Sequence, residues 1–219
     1  MVLTEAMQDY LRTIYALGGH EVPVNTMALA DALGKRPASI TGMIKRLAEL
    51  NLVTHEPYRG VVLTLAGAKV ALEVLRHHRL IELYLAEALG FSWDEVHKEA
   101  DRLEHHISEE LEARIFAALG HPTIDPHGDP IPSYDGDLPP EAGEPMTALA
   151  GGDQAVVRRV LNQDGALLRY LAHLGLVPQA QVEVVQVAPA DGPLTVRVNG
   201  DEHALAADLA RQIVVDRVE

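Results

Sequence analysis

Cysteine is absent from this 219-residue chain, which excludes disulfide scaffolds and thiolate metal sites and fits a cytoplasmic setting. No apolar run approaches the roughly 18 residues of a membrane span, and the N-terminus lacks the basic-then-apolar pattern of a secretory signal. No membrane partner is expected. Basic residues are scarce: Lys and Arg number 18 against 32 Asp and Glu, a formal net charge of −14. Taken whole, that balance argues against a generic nucleic-acid binder, because phosphate contacts need cations. What is present is a 47% apolar composition, enough for packed cores in one large domain or two or three small ones.

The acidity is unevenly placed. Residues 1–60 carry six basic and six acidic side chains, residues 61–119 six against eleven, and residues 120–219 six against fifteen. Inside the neutral first block, Lys35, Arg36, Lys45 and Arg46 have no acid between Asp31 and Glu49. The same block has a recognisable order of elements. Thr4 precedes a stripe of Tyr10, Leu11, Ile14, Tyr15 and Leu17 that Gly18-Gly19 ends, which predicts a helix. Asn25 or Thr26 opens a short helix closed by Gly34, and Pro37 suits the first turn of a third helix with core face Ile40, Met43/Ile44, Leu47 and Leu50. Two short amphipathic helices around a glycine turn form a helix-turn-helix pattern. Leu52–His55 and Val61–Thr64, around Pro57-Tyr58-Arg59-Gly60, read as the two strands of a wing. Together these elements predict a winged helix.

A proline-free helical stretch from about Leu65 to Leu89 follows and ends at Gly90. Ser92 and Glu95 form a capping box that opens a helix to about His106, and a further helix runs from about Ser108 to Leu119. Long apolar helices after a winged helix suit a dimer interface. The stretch from Pro122 to Pro145 holds seven of the thirteen prolines and reads as a linker or loose loop. Beyond it, Ala155–Leu161, Gln181–Val187, Leu194–Val198 and Gln212–Val218 read as strands, with Asn199-Gly200 as a hairpin turn and a helix over Ala166–Leu174. Short strands with one helix predict a small β-barrel.

Five of the eleven histidines fall between His77 and His106, among acids at helical spacing. His78 and Glu82 are four residues apart on one helix. His97, Asp101, Glu104 and His105 fall at i, i+4, i+7 and i+8 of the next, again on one face. Two such faces turned toward each other would make a metal site of imidazole and carboxylate ligands. Asp9, on the first helix, would couple an ion to the DNA-binding domain if it reaches the site.

These residues carry a resemblance. Asp9–Tyr15, Pro37–Thr41, Ile44–Leu47, Leu63–Gly67, His77–Glu82, Val96–His106, Leu167–Leu171 and Gly175–Pro178, in that order, make the chain similar to the diphtheria toxin repressor family of metal-dependent transcriptional repressors, most of all to its manganese-responsive branch. The resemblance implies an α+β chain. Its parts would be a winged helix-turn-helix domain over 1–65, a helical metal-binding and dimerisation domain over 66–121, a Pro-rich linker over 122–146 and an SH3-like (FeoA-like) small β-barrel over 147–219. It also implies a homodimer that binds double-stranded operator DNA of metal-uptake genes when a divalent ion is bound.

Carried over by position, the primary site is Asp9, Asp101, Glu104 and His105. The ancillary site is His78, Glu82 and His97, with His78 available to either. Longer members add ligands from the barrel. In the matching stretch Gln163–Leu167, Asp164 fits a ligand role and Leu167 cannot. The iron-responsive branch has Met and Cys at the positions of Asp9 and Asp101, so carboxylates at both favour Mn²⁺ over softer ions, with Fe²⁺ the alternative and other divalent metals able to bind in vitro. Arg12 stands where compact manganese regulators carry an acid, which opposes a tight two-metal cluster.

For DNA, the resemblance puts Ala38, Ser39, Thr41 and Gly42 near base edges and Arg36, Lys45, Arg46 and the wing residue Arg59 on phosphates. Gly42 offers no base hydrogen bond, so methyl contacts and DNA shape would carry part of the readout. A metal-dependent hydrolase and a winged-helix regulator of an organic ligand are the competing readings. Against the first, no Ser/His/Asp set, Gly-rich phosphate loop or HExxH pattern is present. Against the second, it leaves the histidine cluster without a purpose.

Overall fold

The computed structural model describes residues 3–56, 59–140, 142–190 and 192–218. The chain divides into two compact units, one of Met1–His78, Leu103–Glu109 and Pro132–Asp137, the other of Arg79–Arg102, Glu110–Ile131 and Leu138–Glu219.

In the first unit, α1 (Glu5–Ala16), α2 (Thr26–Leu33), α3 (Pro37–Glu49) and the antiparallel hairpin of β1 (Val53–Glu56) and β2 (Gly60–Leu63) follow in the expected order. Met7, Tyr10, Leu11 and Ile14 recur every three or four residues along α1, so one face is apolar and buries. Asn25 caps α2 by accepting the Met27 N–H at 2.7 Å, and Gly34 ends it in the left-handed conformation. Pro37 occupies the first turn of α3, where a missing N–H costs nothing. The three apolar faces meet in a core that includes Leu11, Ile14, Leu29, Ile40, Ile44 and Leu47. Val24 bridges Val61 of β2, and at Gly60 (φ +123°) a Cβ would lie 2.4 Å from the Val24 carbonyl oxygen, so the wing needs glycine there. Of the wing turn expected at Pro57-Tyr58-Arg59-Gly60, Pro57 and Tyr58 lie outside the described residues.

α4 (Leu65–Leu89) is continuous over 25 residues and carries His77, His78 and Glu82. α5 (Val96–Leu103) is shorter than expected, because the chain turns at Glu104–His106 before α6 (Glu109–Ala118). Among the described residues no helix is long and apolar enough to cross a membrane.

The second unit is dominated by a six-stranded antiparallel sheet. Its members are β3 (Glu144–Pro145), β4 (Gln154–Val160), β5 (Gln181–Val187), β6 (Leu194–Val198), β7 (Asp201–Leu205) and β8 (Ile213–Arg217), in the order β3-β8-β4-β5-β6-β7. Alternating residues Ala155, Val157, Val182, Val184, Leu194, Val196 and Val198 face one core with Leu168 and Leu171 of α7 (Gly165–His173) and Leu176. α8 (Ala207–Ala210) adds Ala210. Strand β7 completes the hairpin that the Asn199-Gly200 turn predicts, although no range is predicted for the strand itself.

A register shift between Val157 and Arg159 breaks the alternation of β4, so Arg159 and Val160 are both buried in succession. Such a bulge re-aims a side chain, and here it puts Val160 into the core with Ala155 and Val157 and leaves Arg159, opposite Val214, on the other face of the sheet. The expectation of a loose linker over 122–146 fails at its first half. Ile124 bridges Pro130, and Asp125, His127 and Ile131 are buried. The prolines limit the backbone, and the Asp125 carboxylate takes the N–H groups that a loop would otherwise leave to water.

Candidate metal centres and nucleic-acid interface

The first unit brings Asp9 of α1 together with Glu104 and His105 from the turn after α5, with one ligand atom of each within 4.8 Å of the others. His105 donates from Nδ1 to Gln8 Oε1 at 2.8 Å, which aims Nε2 at Asp9 Oδ1 (2.9 Å) and Glu104 Oε1 (3.2 Å). Two carboxylate oxygens and an imidazole nitrogen so converged form a donor set suited to a divalent cation. The Glu104 side chain is 0% exposed, and its other oxygen receives Arg12 Nη1 at 2.7 Å and contacts His78 Nδ1. Arg12 also reaches His78 Nδ1 at 2.9 Å. The guanidinium thus occupies the far side of Glu104, and Oε1 is the oxygen left toward Asp9 and His105.

The second unit holds another cluster: Glu82, Asp125 and His127, all buried, again with one ligand atom of each within 4.8 Å of the others. His127 Nε2 donates to the Trp93 carbonyl at 2.7 Å, so Nδ1 is the nitrogen turned to Glu82 Oε2, 3.6 Å away. Asp125 Oδ1 accepts the N–H groups of His127 (2.8 Å) and Asp129 (2.9 Å), which fixes the carboxylate. Asp125 Oδ2 and His127 Nδ1 are buried without a hydrogen-bond partner among the described residues. Burial, then the negative charges of Glu82 and Asp129, push the Asp125 carboxyl up to about 7. Burial works against protonating His127, but the pull of Glu82 and Asp125 outweighs it and raises the imidazole above its ordinary value. Both shifts express a shortage of positive charge, which a proton fills in the absence of an ion. Oriented lone pairs on hard oxygen and imidazole donors fit a divalent cation.

Four of the sequence-derived residues, Asp9, Glu82, Glu104 and His105, fall in these two clusters. Asp9, Glu104 and His105 come together as expected, and Glu82 pairs with His97 at 3.0 Å. His78 Nδ1 meets Glu104 and Arg12. Asp101 is not in the Asp9 cluster; it sits one turn from His97, 3.7 Å away and 41% exposed. The single face expected of His97, Asp101, Glu104 and His105 requires a helix through His106, whereas α5 ends at Leu103 and the turn redirects the last two. Asp164 is exposed and caps α7, its Oδ1 accepting from Ala166 and Leu167 at 3.0 and 3.1 Å. It belongs to no three-residue ligand cluster among the described residues. Asp125 and His127 were missed. An Asp-x-His-x-Asp pattern fixed by flanking prolines was the available signal.

The capping role of Asp164 has its own test. Asp164→Ala should lower barrel stability by about 1 kcal/mol in denaturant unfolding, whereas Asp164→Asn, an equally good cap, should cost only a few tenths. Equal losses for both would reject the cap as the reason.

The face of α3 opposite Ile40, Ile44 and Leu47 is exposed and presents Ala38, Ser39, Thr41, Gly42, Lys45 and Arg46, with Arg36 as its N-cap. Nothing lies within 4 Å of a Cβ built on Gly42, so this surface is open. Lys35 sits 4.8 Å above the Tyr10 ring, which anchors the segment entering α3 on α1. Arg59 is exposed and pairs with Glu56 at 3.1 Å, an ion pair weak enough to exchange for a phosphate.

A winged helix with an open recognition face, a helical segment after it, and clusters of oxygen and nitrogen ligand atoms define a metal-responsive DNA-binding regulator. Three family models match in succession: an iron-dependent repressor N-terminal DNA-binding domain over residues 2–61, an iron-dependent repressor metal-binding and dimerisation domain over 64–133, and a FeoA domain over 144–217. The iron-dependent repressor IdeR of Mycobacterium tuberculosis is 34% identical over 99% of both chains. Among solved structures, a manganese-dependent transcriptional repressor in complex with manganese superposes with a TM-score of 0.86 at 37% identity, covering 97% of this chain and 100% of that one. ScaR with bound Cd²⁺ gives 0.81 at 29% identity, covering 97% and 99%. The chain belongs to the iron-dependent repressor, or diphtheria toxin repressor, family. It is a metal-dependent transcriptional repressor with a C-terminal SH3-like FeoA domain.

Proposed function

We propose that this repressor is activated by manganese, binds operator DNA as a homodimer in the cytoplasm, and controls genes of metal uptake and homeostasis. The observation that carries the metal assignment is the composition of the two clusters. Asp9–Glu104–His105 and Glu82–Asp125–His127, the latter with His97 on Glu82, offer only carboxylate oxygens and imidazole nitrogens. Such donors suit Mn²⁺, and the absence of sulfur removes the preference that Met or Cys ligands give softer ions. Similarity to a manganese-dependent repressor structure supports the same reading. Similarity to an iron-dependent relative favours Fe²⁺ as the second reading.

A divalent cation held at either cluster would supply the positive charge that the converging donors lack. The rest is done by the chain. Asp9, held to His105, fixes α1, and Leu11 and Ile14 of α1 share one core with Ile40 and Ile44 of α3. Fixing Asp9 therefore fixes the recognition helix, with Arg36, Lys45, Arg46 and Arg59 on phosphates and Ala38, Ser39, Thr41 and Gly42 toward base edges. Linkage makes the effect reciprocal: operator DNA tightens metal binding by the factor by which metal tightens operator binding.

The test is operator affinity at buffered free Mn²⁺, Fe²⁺, Co²⁺ and Zn²⁺ and fixed salt. Mn²⁺ should activate fully, and activation by Fe²⁺ with none by Mn²⁺ would replace the first reading by the second. Within the interface, Arg46→Ala should weaken binding about equally on all sequences and reduce the slope of log K against log[salt] by about 0.9. An unchanged slope would remove Arg46 from the phosphate contacts.

A further inference from the structure

Two ligands of the second cluster, Asp125 and His127, lie on a loop closed at its base, where the Asp125 N–H donates to the Asp129 carbonyl at 2.9 Å and Ile124 bridges Pro130. The loop is held from two directions. On the α4 side, Arg79 donates to the Pro130 carbonyl and lies 3.7 Å from Asp125 Oδ2. On the β4 side, the Val160 N–H donates to the His127 carbonyl at 3.1 Å. Gly128, at φ +88°, is pressed so close to the strand that a Cβ would lie 2.0 Å from the Arg158 carbonyl oxygen.

Asp129 joins these two attachments. Its Oδ1 accepts from Arg159 Nη1 at 3.2 Å, with Arg79 Nη2 at 3.9 Å, and its Oδ2 accepts from Gln163 Nε2 at 2.9 Å. The Arg159 side chain is only 10% exposed and, because of the β4 bulge, lies on the face of the strand away from the barrel core. A buried guanidinium that loses an acid partner is less well compensated for its desolvation, which favours movement of the side chain or the strand.

We infer that Asp129 is a positioning residue for the Glu82–Asp125–His127 centre, and that through Arg159 and Gln163 it makes ion binding there and the docking of β4 a single linked equilibrium. The inference rests on reading that cluster as a metal centre. Asp129 itself is not a ligand. It acts through the loop backbone, whose N–H groups orient Asp125, and through Arg159, which fixes the strand that holds His127. Outer contacts of this kind typically change metal affinity by about 10–100-fold when removed.

The experiment uses the full chain with Mn²⁺ alone as the probe. Affinity and stoichiometry come from calorimetry, and the response of β4 from amide hydrogen exchange over Gln154–Leu168. In the wild-type chain Mn²⁺ should slow exchange of the β4 amides, Val160 among them. Asp129→Ala should weaken Mn²⁺ at this centre by about 10–100-fold, abolish the Mn²⁺ effect on β4, and leave the affinity of the Asp9 centre unchanged. Asp129→Asn, whose amide oxygen still accepts from Arg159, should recover both the affinity and the β4 response. Asp129→Ala with wild-type affinity and a wild-type β4 response overturns the inference. So does equal loss of β4 protection without Mn²⁺ in both variants with affinity intact, which would make Asp129 a packing residue only. His127→Ala separates the layers: if it leaves the Mn²⁺ stoichiometry unchanged, the centre itself is misassigned and the role of Asp129 falls with it.

Discussion

Glu104→Gln should bind operator DNA equally well at zero and at saturating Mn²⁺. The side chain is fully buried and touches Arg12, His78 and His105, so an isosteric replacement keeps the shape and removes only the charge. Without that charge, Asp9 and His105 are too few to hold a divalent ion between them. The coupling between metal and DNA, typically about 5–150-fold in affinity, should then collapse to unity. The Arg12–Glu104 ion pair becomes a neutral contact in this variant, and breaking a fully buried pair can cost about 3–5 kcal/mol, an upper bound for a guanidinium that is 21% exposed. Asp9→Asn removes a more exposed carboxylate and leaves the Arg12–Glu104 pair intact, so it should lose Mn²⁺ activation in a chain that melts normally. Operator titrations of both variants, with gel filtration and thermal unfolding as controls, decide the matter. A normal response to Mn²⁺ in both would reject the centre.

Asp125→Asn should separate the second centre from the stability of its own loop. The amide oxygen can still accept the His127 and Asp129 N–H groups, so the turn survives. What disappears is a charge that burial and Glu82 already oppose, as its carboxyl titrating near 7 records. The metal-free variant should therefore be no less stable than wild type near neutral pH. Its response to metal should differ sharply. An ion present at 100 times its Kd stabilises the folded state by about 2.7 kcal/mol, a rise of roughly 5–10 °C in Tm for a domain of 150–250 residues. Chelation with EDTA should reverse that rise in the wild-type chain, and Asp125→Asn should lose the part owed to this centre. A full Mn²⁺-induced rise in the variant would exclude Asp125 as a ligand.

Periodicity explains what could be read in advance. The stripes of α1, α2 and α3 and the alternation of β4, β5 and β6 are local signals, and Asn25, Gly34 and Pro37 mark their ends. Strand β7 carries Asp201, Glu202 and His203 at the sheet edge, so its composition hid it. The sites were legible where ligands keep helical spacing, as for Glu82, or where the resemblance named them, as for Asp9, Glu104 and His105. They were not legible where the backbone stops being periodic. The end of α5 at Leu103 separates Asp101 from Glu104, an event that no spacing within the helix announces. Asp125 and His127 were hidden by their setting. Proline and glycine mark chain reversals equally in a loose linker and in a tight loop, and only the tertiary partners, Trp93, Val160 and Arg159, distinguish the two.

The net charge of −14 also reads differently with the structure in hand. Asp9, Glu82, Glu104 and Asp125 contribute to it as donors converged on two points. A bound cation would offset part of the negative field that otherwise repels DNA, in addition to fixing the position of α1.

The most direct measurement starts from duplexes selected out of random DNA by the wild-type chain in the presence of Mn²⁺, and compares affinity for them with and without the metal at one salt concentration. A metal-dependent repressor should select a defined site and lose most of its affinity for it on chelation, regaining it when Mn²⁺ is restored. Equal affinity in both conditions, or selection of no defined sequence, would contradict the assignment.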